Sequence, residues 1–202
     1  MLFGLFGRRI PESRQAVYGA IVAQARQPAF YLDHAVPDTV EGRFEMILVH
    51  ATLMFHRLGR EAPATRAAAQ DVLDIFFTDM DRNLRELGVG DLSVGKKMKK
   101  LGMAYAGRSQ AYSRAIAAGD ATELTSAVLR NVYRGDAGAA DPAARVAAYM
   151  LAATARLDGQ SADDLIEARI VWPDPVSFAD PNSRPTAPSP DAGAAPTPVS
   201  PS

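Results

Sequence analysis

The chain contains no cysteine, only three histidines and, among its 22 basic residues, only four lysines. The absence of cysteine excludes disulfides, cysteine-ligated metal centres and thiol nucleophiles. No apolar run approaches the roughly 20 residues that a helix needs to cross a bilayer, so the sequence predicts no membrane-spanning segment. The net charge of −1 is unlike that of a polycation built for nucleic acid, and we expect no specific DNA binding.

What the sequence does contain is helical periodicity, with no segment of alternating apolar and polar residues. Apolar residues recur at helical spacing in about seven segments that are separated by short loops. The pattern predicts an all-α, single-domain helical bundle in residues 12–172. An apolar and basic N-terminal segment, residues 1–11, precedes the bundle. Residues 173–202 contain nine prolines and are predicted to form a disordered tail rich in Pro, Ala and Ser.

The most informative stretch is residues 71–116, which reads as two amphipathic helices joined by a glycine-rich turn. Acidic residues gather on the first helix, and Gly88 is expected to end it in the left-handed conformation. Ser93 is the predicted N-cap of the second helix. The apolar stripe of that helix comprises Met98, Leu101, Tyr105, Tyr112 and Ile116.

Every lysine of the chain lies in this second helix, on the face opposite its apolar stripe. The four are Lys96, Lys97, Lys99 and Lys100. In a chain whose other basic residues are all arginine, this clustering predicts a contact patch for phosphate-bearing or acidic partners. A solvated helix face is the alternative explanation. The predicted contact surface also includes neighbouring residues of the hairpin: Asp79, Asp81, Gly88, Gly90, Asp91 and Gly95.

The N-terminal sequence MLFGLFGRR suggests a second, weaker contact. Phe3 and Phe6 are expected to enter a membrane interface, with Arg8 and Arg9 beside the lipid headgroups. Packing on the body of the protein, or fraying, is the alternative. Together with the lysines, this segment would supply the two weak signals that peripheral membrane attachment requires.

No set of residues in the sequence predicts catalysis, a metal site or a cofactor. The run GDLSVGKK from Gly90 nearly matches a phosphate-binding loop, but Lys97 occupies the Ser/Thr position and a helix precedes the run. Asp79 and Asp81 lie about 160° apart on a helix, too far apart to share a cation unaided.

Two polar residues lie near apolar stripes. His50 is predicted to be a hydrogen-bonded structural histidine. Asn83 is predicted to hydrogen-bond across a helix–helix seam, with a place on a pocket rim as the alternative.

Two other functions of the protein stay open at this point. One is an enzyme or small-ligand binder with a pocket near Asp79, Asn83 and His50, and the other is an adaptor that acts through its proline-rich tail.

The run FFTDMDRNLRELGVGDLSVGKKMKKLGMAYAGR (residues 76–108) resembles the core motif of the ubiquinol–cytochrome c chaperone family. DTVEGRFEMILVHATLMFHRL (38–58) and VLRNVYRG (128–135) resemble other segments of that family, and the similarity covers roughly residues 12–172. The resemblance implies a non-enzymatic, α-helical assembly factor for the respiratory bc1 complex that binds newly made cytochrome b. Mitochondrial members also work with the ribosome and a small partner assembly factor. Because the chain has no long presequence, we expect a bacterial member in the cytoplasm, attached peripherally to the inner membrane.

Overall fold

The computed structural model describes residues 10–180 apart from Leu87, Val89 and the side chains of Asp91 and Leu92. All regular secondary structure in these residues is helical, which confirms the predicted all-α fold. The α-helices are α1 (Glu12–Ala25), α2 (Pro28–Leu32), α3 (Val40–Leu58), α4 (Pro63–Glu86), α5 (Asp91–Ala118), α6 (Ala121–Asn131), α7 (Ala140–Asp158) and α8 (Ala162–Ile166). Two short 3-10 helices span Ala137–Ala139 and Pro175–Phe178.

Helix α3 lies at the centre of the bundle and contacts α1, α4, α5 and α7. Its residues 45–54 are all buried, because apolar side chains occupy nearly the whole circumference of the helix there. The N-cap of the helix is Thr39, whose hydroxyl accepts a hydrogen bond of 3.1 Å from the Gly42 amide. Gly42 is required at this point, since a Cβ atom would lie 2.0 Å from the Pro37 carbonyl oxygen.

His50 is hydrogen-bonded in the core, as predicted for a structural histidine. Its Nδ1 lies 2.8 Å from the Met46 carbonyl oxygen, and its Nε2 lies 2.8 Å from the Tyr149 hydroxyl. The amide of Gln24 donates to the same hydroxyl at 3.0 Å. Burial lowers the pKa of His50 to about 4, so the ring is neutral at physiological pH.

The described chain continues past residue 172, and residues 173–180, which the sequence analysis assigned to the tail, pack on the bundle. Pro175 is buried, and its carbonyl oxygen lies 2.8 Å from Nε2 of His34. The ring of Phe178 packs edge-on against Tyr149. The proline content indicated a tail here, since composition does not show that the Pro175 carbonyl has a partner just after α2 and that the Phe178 ring has one on α7. Residues 181–202 of the predicted tail lie outside the described residues.

Helices α4 and α5 form the predicted hairpin, and Gly88 has the expected positive φ of 77°. Helix α5 begins at Asp91 with Gly90 as its N-cap, three residues before the start that a Ser93 cap would give. Phe76 anchors the hairpin to the bundle, with its ring against those of Tyr18, Phe44, Phe77 and Tyr105.

Candidate functional site

An open groove of about 390 Å³ lies where the first turns of α3, the end of α4 and the first half of α5 meet. Its apolar lining comprises Val40, Phe44, Met80, Leu84, Leu101 and Ala104. The apolar stripe of α5 explains why the groove is open. Tyr112 and Ile116 are buried at the C-terminal end of the stripe, but Met98 and Leu101 are only partly buried because nothing in the described chain covers them. Val40 is 75% exposed, which is unusual for a valine beside an apolar surface.

The four lysines are all exposed, and Lys97 and Lys100 form part of the groove wall. None of the four forms an ion pair with a carboxylate in the described residues. The groove thus combines an apolar floor with unpaired positive charge on its α5 side. Contact of these lysines with an anionic partner stays a prediction.

The two aspartates of the predicted surface have partners on α1 and α4. Asp79 accepts a hydrogen bond of 2.9 Å from the Tyr18 hydroxyl and forms an ion pair with Arg82. Burial, together with the hydrogen bond to Asp79, raises the pKa of Tyr18. Asp81 pairs with Arg85 at 2.6 Å. Among the glycines, Gly88 and Gly90 lie in the exposed turn and Gly95 is exposed within α5, whereas the side chain of Asp91 is outside the described set.

The predicted hydrogen bond of Asn83 across a helix–helix seam is wrong. Its amide is exposed and donates to Asp79 in its own helix at 3.3 Å. Asn83 lies on the groove wall instead, which was the alternative position. The helical period had correctly placed this residue near the apolar stripe of α4, but at the end of α4 that stripe faces the groove rather than a neighbouring helix.

The structure does not bring His50 and Asp79 to one site. His50 contacts Phe30, Tyr149 and Trp172 in the core, whereas Asp79 contacts Tyr18 on α1. Within the described residues, no group of three or more His, Asp or Glu side chains is placed to hold a metal ion. Residues 91–97 of the GDLSVGKK run are helical, so residues 91–94 cannot form the loop that a nucleotide-hydrolysing site needs.

A charged pair at one end of the groove was missed by the sequence analysis. Glu45 of α3 lies 2.7 Å from Arg108 of α5, and both side chains line the groove. Burial raises the pKa of Glu45 to about 7, an effect that the positive charge of Arg108 only partly offsets. The available signal was Glu45 itself, a single carboxylate within the apolar run FEMILV.

This raised pKa predicts a pH-dependent contribution of Glu45 to stability. The folded state binds a proton at Glu45 more tightly than the unfolded chain does, so the contribution is complete at low pH and is lost as the pH rises through about 7. The stability of the wild type relative to Glu45→Gln should therefore be about 2 kcal/mol greater at pH 5 than at pH 8. Urea denaturation at both pH values measures this difference. Glu41→Gln, which alters an exposed carboxylate in the same helix, should show no such change, and a pH-independent difference for Glu45→Gln would refute the assignment.

Comparison with known proteins relates this groove to a family. Residues 32–172 match the protein family described as Ubiquinol-cytochrome C chaperone, and all residues lining the groove fall within that range. The chain is similar to the crystal structure of the Cbp3 homolog from Brucella abortus, with 41% sequence identity and a TM-score of 0.76. That similarity covers 84% of this chain and 92% of the Brucella chain. No curated protein matches the chain. The family match covers more than half of the sequence, and the chain therefore belongs to the ubiquinol-cytochrome c chaperone family.

Proposed function

We propose that this protein is a non-enzymatic chaperone that binds newly made cytochrome b and promotes assembly of the ubiquinol–cytochrome c reductase (bc1) complex at the membrane. Family membership supports a role in assembly of this complex. The observation that carries the proposal is the open apolar groove between α3, α4 and α5.

The groove suits a client that exposes apolar side chains before it is assembled. An apolar or amphipathic helix can place one face in such a groove and bury side chains that would otherwise face water. The opening is wide and the lining is only partly buried, so binding there would be reversible. Reversible binding is what a chaperone needs, because the client must later leave for the complex.

The lysines extend this surface toward a negatively charged neighbour. We propose that Lys96, Lys97, Lys99 and Lys100 contact the anionic membrane surface from the cytoplasm while the groove holds the client. In the described residues no helix is long and apolar enough to span a bilayer. The predicted membrane contacts of Phe3, Phe6, Arg8 and Arg9 lie outside the described residues and would add a second weak attachment. Contacts with the ribosome and with a small partner assembly factor also stay predictions.

The experiment that tests the client is crosslinking in cells followed by affinity purification from membranes. A photo-crosslinking amino acid at Val40, which is exposed at the groove edge, should capture cytochrome b. The same amino acid at Arg156, an exposed position on α7, should not. Recovery of other proteins without cytochrome b, together with normal bc1 levels in a deletion strain, would contradict the proposal.

Truncation of a groove side chain should weaken client binding more than it weakens the fold. Leu101→Ala removes apolar surface from the groove, and because Leu101 is only partly buried we expect a stability loss below about 2 kcal/mol. Leu151→Ala is the matched control, since Leu151 is partly buried on α7 outside the groove. Cytochrome b recovery should fall for the first variant only, and equal recovery by both would argue against the groove as the client site.

Reversal of the lysine charges should weaken membrane association without unfolding the protein. Changing all four lysines to glutamate replaces attraction to anionic lipid by repulsion, while exposed charges contribute little to folding. Sedimentation with vesicles that contain anionic lipid measures the association, and thermal denaturation measures the fold. Changing the same lysines to arginine keeps the charge and should preserve association, whereas a large loss of helicity in the glutamate variant would show that this face is structural.

A further inference from the structure

A second cavity, of about 360 Å³, lies between the first turns of α3, the middle of α5 and the end of α6 with its following loop. We call it the polar pocket. It shares Glu41, Glu45 and Arg108 with the groove, but its other lining residues include Arg130 and Arg134. Three guanidinium groups and two carboxylates thus line one cavity.

The charges in the polar pocket do not balance. Arg108 pairs closely with Glu45 at 2.7 Å, and Arg134 lies 3.7 Å from Glu41. Arg130 has no ion-pair partner among the described carboxylates. With both glutamates ionised the lining keeps one positive charge, which favours an anionic ligand.

The hydrogen bonding in the pocket is also incomplete. Glu45 is only 7% exposed, yet its Oε2 has no hydrogen-bond partner in the described residues, and neither does Nε of Arg108. Buried carboxylate oxygens nearly always accept hydrogen bonds, and Glu45 is a lining residue of the pocket, so its unpartnered Oε2 points to a ligand with a donor. The ligand must therefore supply a proton to Glu45 and oxygen acceptors to the arginines.

We infer that the polar pocket binds inorganic hydrogen phosphate, with the hydroxyl of the phosphate donating to Oε2 of Glu45 and its other oxygens accepting from Arg108, Arg130 and Arg134. Guanidinium groups match phosphate oxygens in geometry and charge. A carboxylate in the same site favours an oxyanion that carries a proton. An oxyanion without a proton would place a lone pair of its oxygen against a lone pair of the carboxylate oxygen, with no hydrogen between them. The pocket shares Glu41, Glu45 and Arg108 with the groove, but phosphate binding as inferred here requires no client in the groove.

The proton requirement makes the inference testable with the full chain and three anions. At pH 8 hydrogen phosphate keeps one proton, whereas sulfate and methyl phosphate have no O–H group that could donate. Calorimetric titration should therefore show phosphate binding at least about tenfold tighter than either of the other two. Absence of measurable phosphate binding at about 10 mM would overturn the inference, and so would equal binding of the three anions.

Two variants test the arginines and a third tests the carboxylate. Arg130→Gln should weaken phosphate binding about tenfold, because one charge-assisted hydrogen bond is lost. Arg156→Gln is the matched control on an exposed part of α7 and should leave binding unchanged. Glu45→Gln should remove the preference for phosphate over sulfate, since the amide offers a donor to sulfate. An equal effect of the two arginine variants, or an unchanged preference in Glu45→Gln, would overturn the site.

If Glu45→Gln does not fold, a titration of the wild type with sulfate at pH 8 and pH 6 tests the role of Glu45 instead. Sulfate keeps the same charge between pH 8 and pH 6, so a change in its affinity reports on the protein. Glu45 faces Arg108 and Tyr112 of α5, Arg134 of the loop after α6 and Glu41 of its own helix. Burial raises the pKa of Glu45 to about 7, so this carboxylate gains a proton over this range and can then donate to sulfate. Sulfate affinity should rise about tenfold at pH 6, and constant affinity would overturn the inference.

Discussion

Replacement of Phe76 by alanine is expected to lower the free energy of unfolding by about 3–5 kcal/mol, the range for removing a fully buried aromatic ring. Phe76 is 1% exposed, and its ring centroid lies 6.1 Å from that of Phe44 and 5.1 Å from that of Phe77. The ring joins α4 to α1, α3 and α5 at once. Its loss leaves a cavity that none of these helices can fill without moving away from another of its partners.

Equilibrium denaturation in urea measures this effect, with circular dichroism reporting helix content. Met103→Ala is the control, because Met103 lies on α5 of the same hairpin but is 62% exposed. Its substitution should change stability by less than about 0.5 kcal/mol. A loss of similar size in the two variants would mean that Phe76 does not hold the hairpin to the bundle.

A chain that ends at residue 172 is expected to lose about 4 kcal/mol or more relative to a chain that ends at residue 180. The shorter chain lacks the Pro175 carbonyl that accepts from His34 and the Pro173 carbonyl that lies 3.3 Å from the Gln24 amide. Each buried polar group left without a partner costs about 1–3 kcal/mol. The shorter chain also lacks Pro175, which is buried, and Phe178, which is partly buried with its ring on Tyr149, and their burial together adds about 1.5–3 kcal/mol.

Thermal denaturation of the two truncated proteins makes this comparison directly. A loss of this size is a large part of the 5–15 kcal/mol that usually stabilises a domain, so the shorter protein should melt many degrees lower or fail to fold. The longer protein keeps all of these contacts. Equal melting temperatures would show that residues 173–180 are dispensable for the fold.

The parts of the molecule predicted correctly from the sequence are those governed by local patterns. The spacing of apolar residues predicted the α4–α5 hairpin. Gly88 was predicted to end the first of these helices, and it has the positive φ that glycine tolerates. The same spacing placed the four lysines on an exposed face. His50 could be identified as structural because it lies among apolar residues of α3, with no second histidine in register to form a metal site.

The errors concern residues whose environment is set by distant parts of the chain. Asn83 lies on the apolar side of α4, but the sequence does not show that no helix covers α4 there. Residues 173–178 look like a proline-rich tail until their partners, which lie more than 20 residues earlier in the chain, are known. The groove was missed for the same reason, since Val40, Phe44 and Leu101 have ordinary core spacing and only the tertiary structure leaves them uncovered.

The contact between His34 and Pro175 also affects the order in which this protein can fold during synthesis. These residues are 141 positions apart in the chain, and Arg14 contacts the Ile166 carbonyl over a separation of 152. At about 5–20 residues per second, a ribosome needs about 7–30 s to travel that distance. Throughout that interval α1 and α2 lack partners that complete their packing, so their apolar faces stay accessible to water and to other chains. A protein of the ubiquinol-cytochrome c chaperone family is thus itself dependent on residues translated long after its first helices, and an interruption of translation before residue 175 should yield a chain prone to aggregation and degradation.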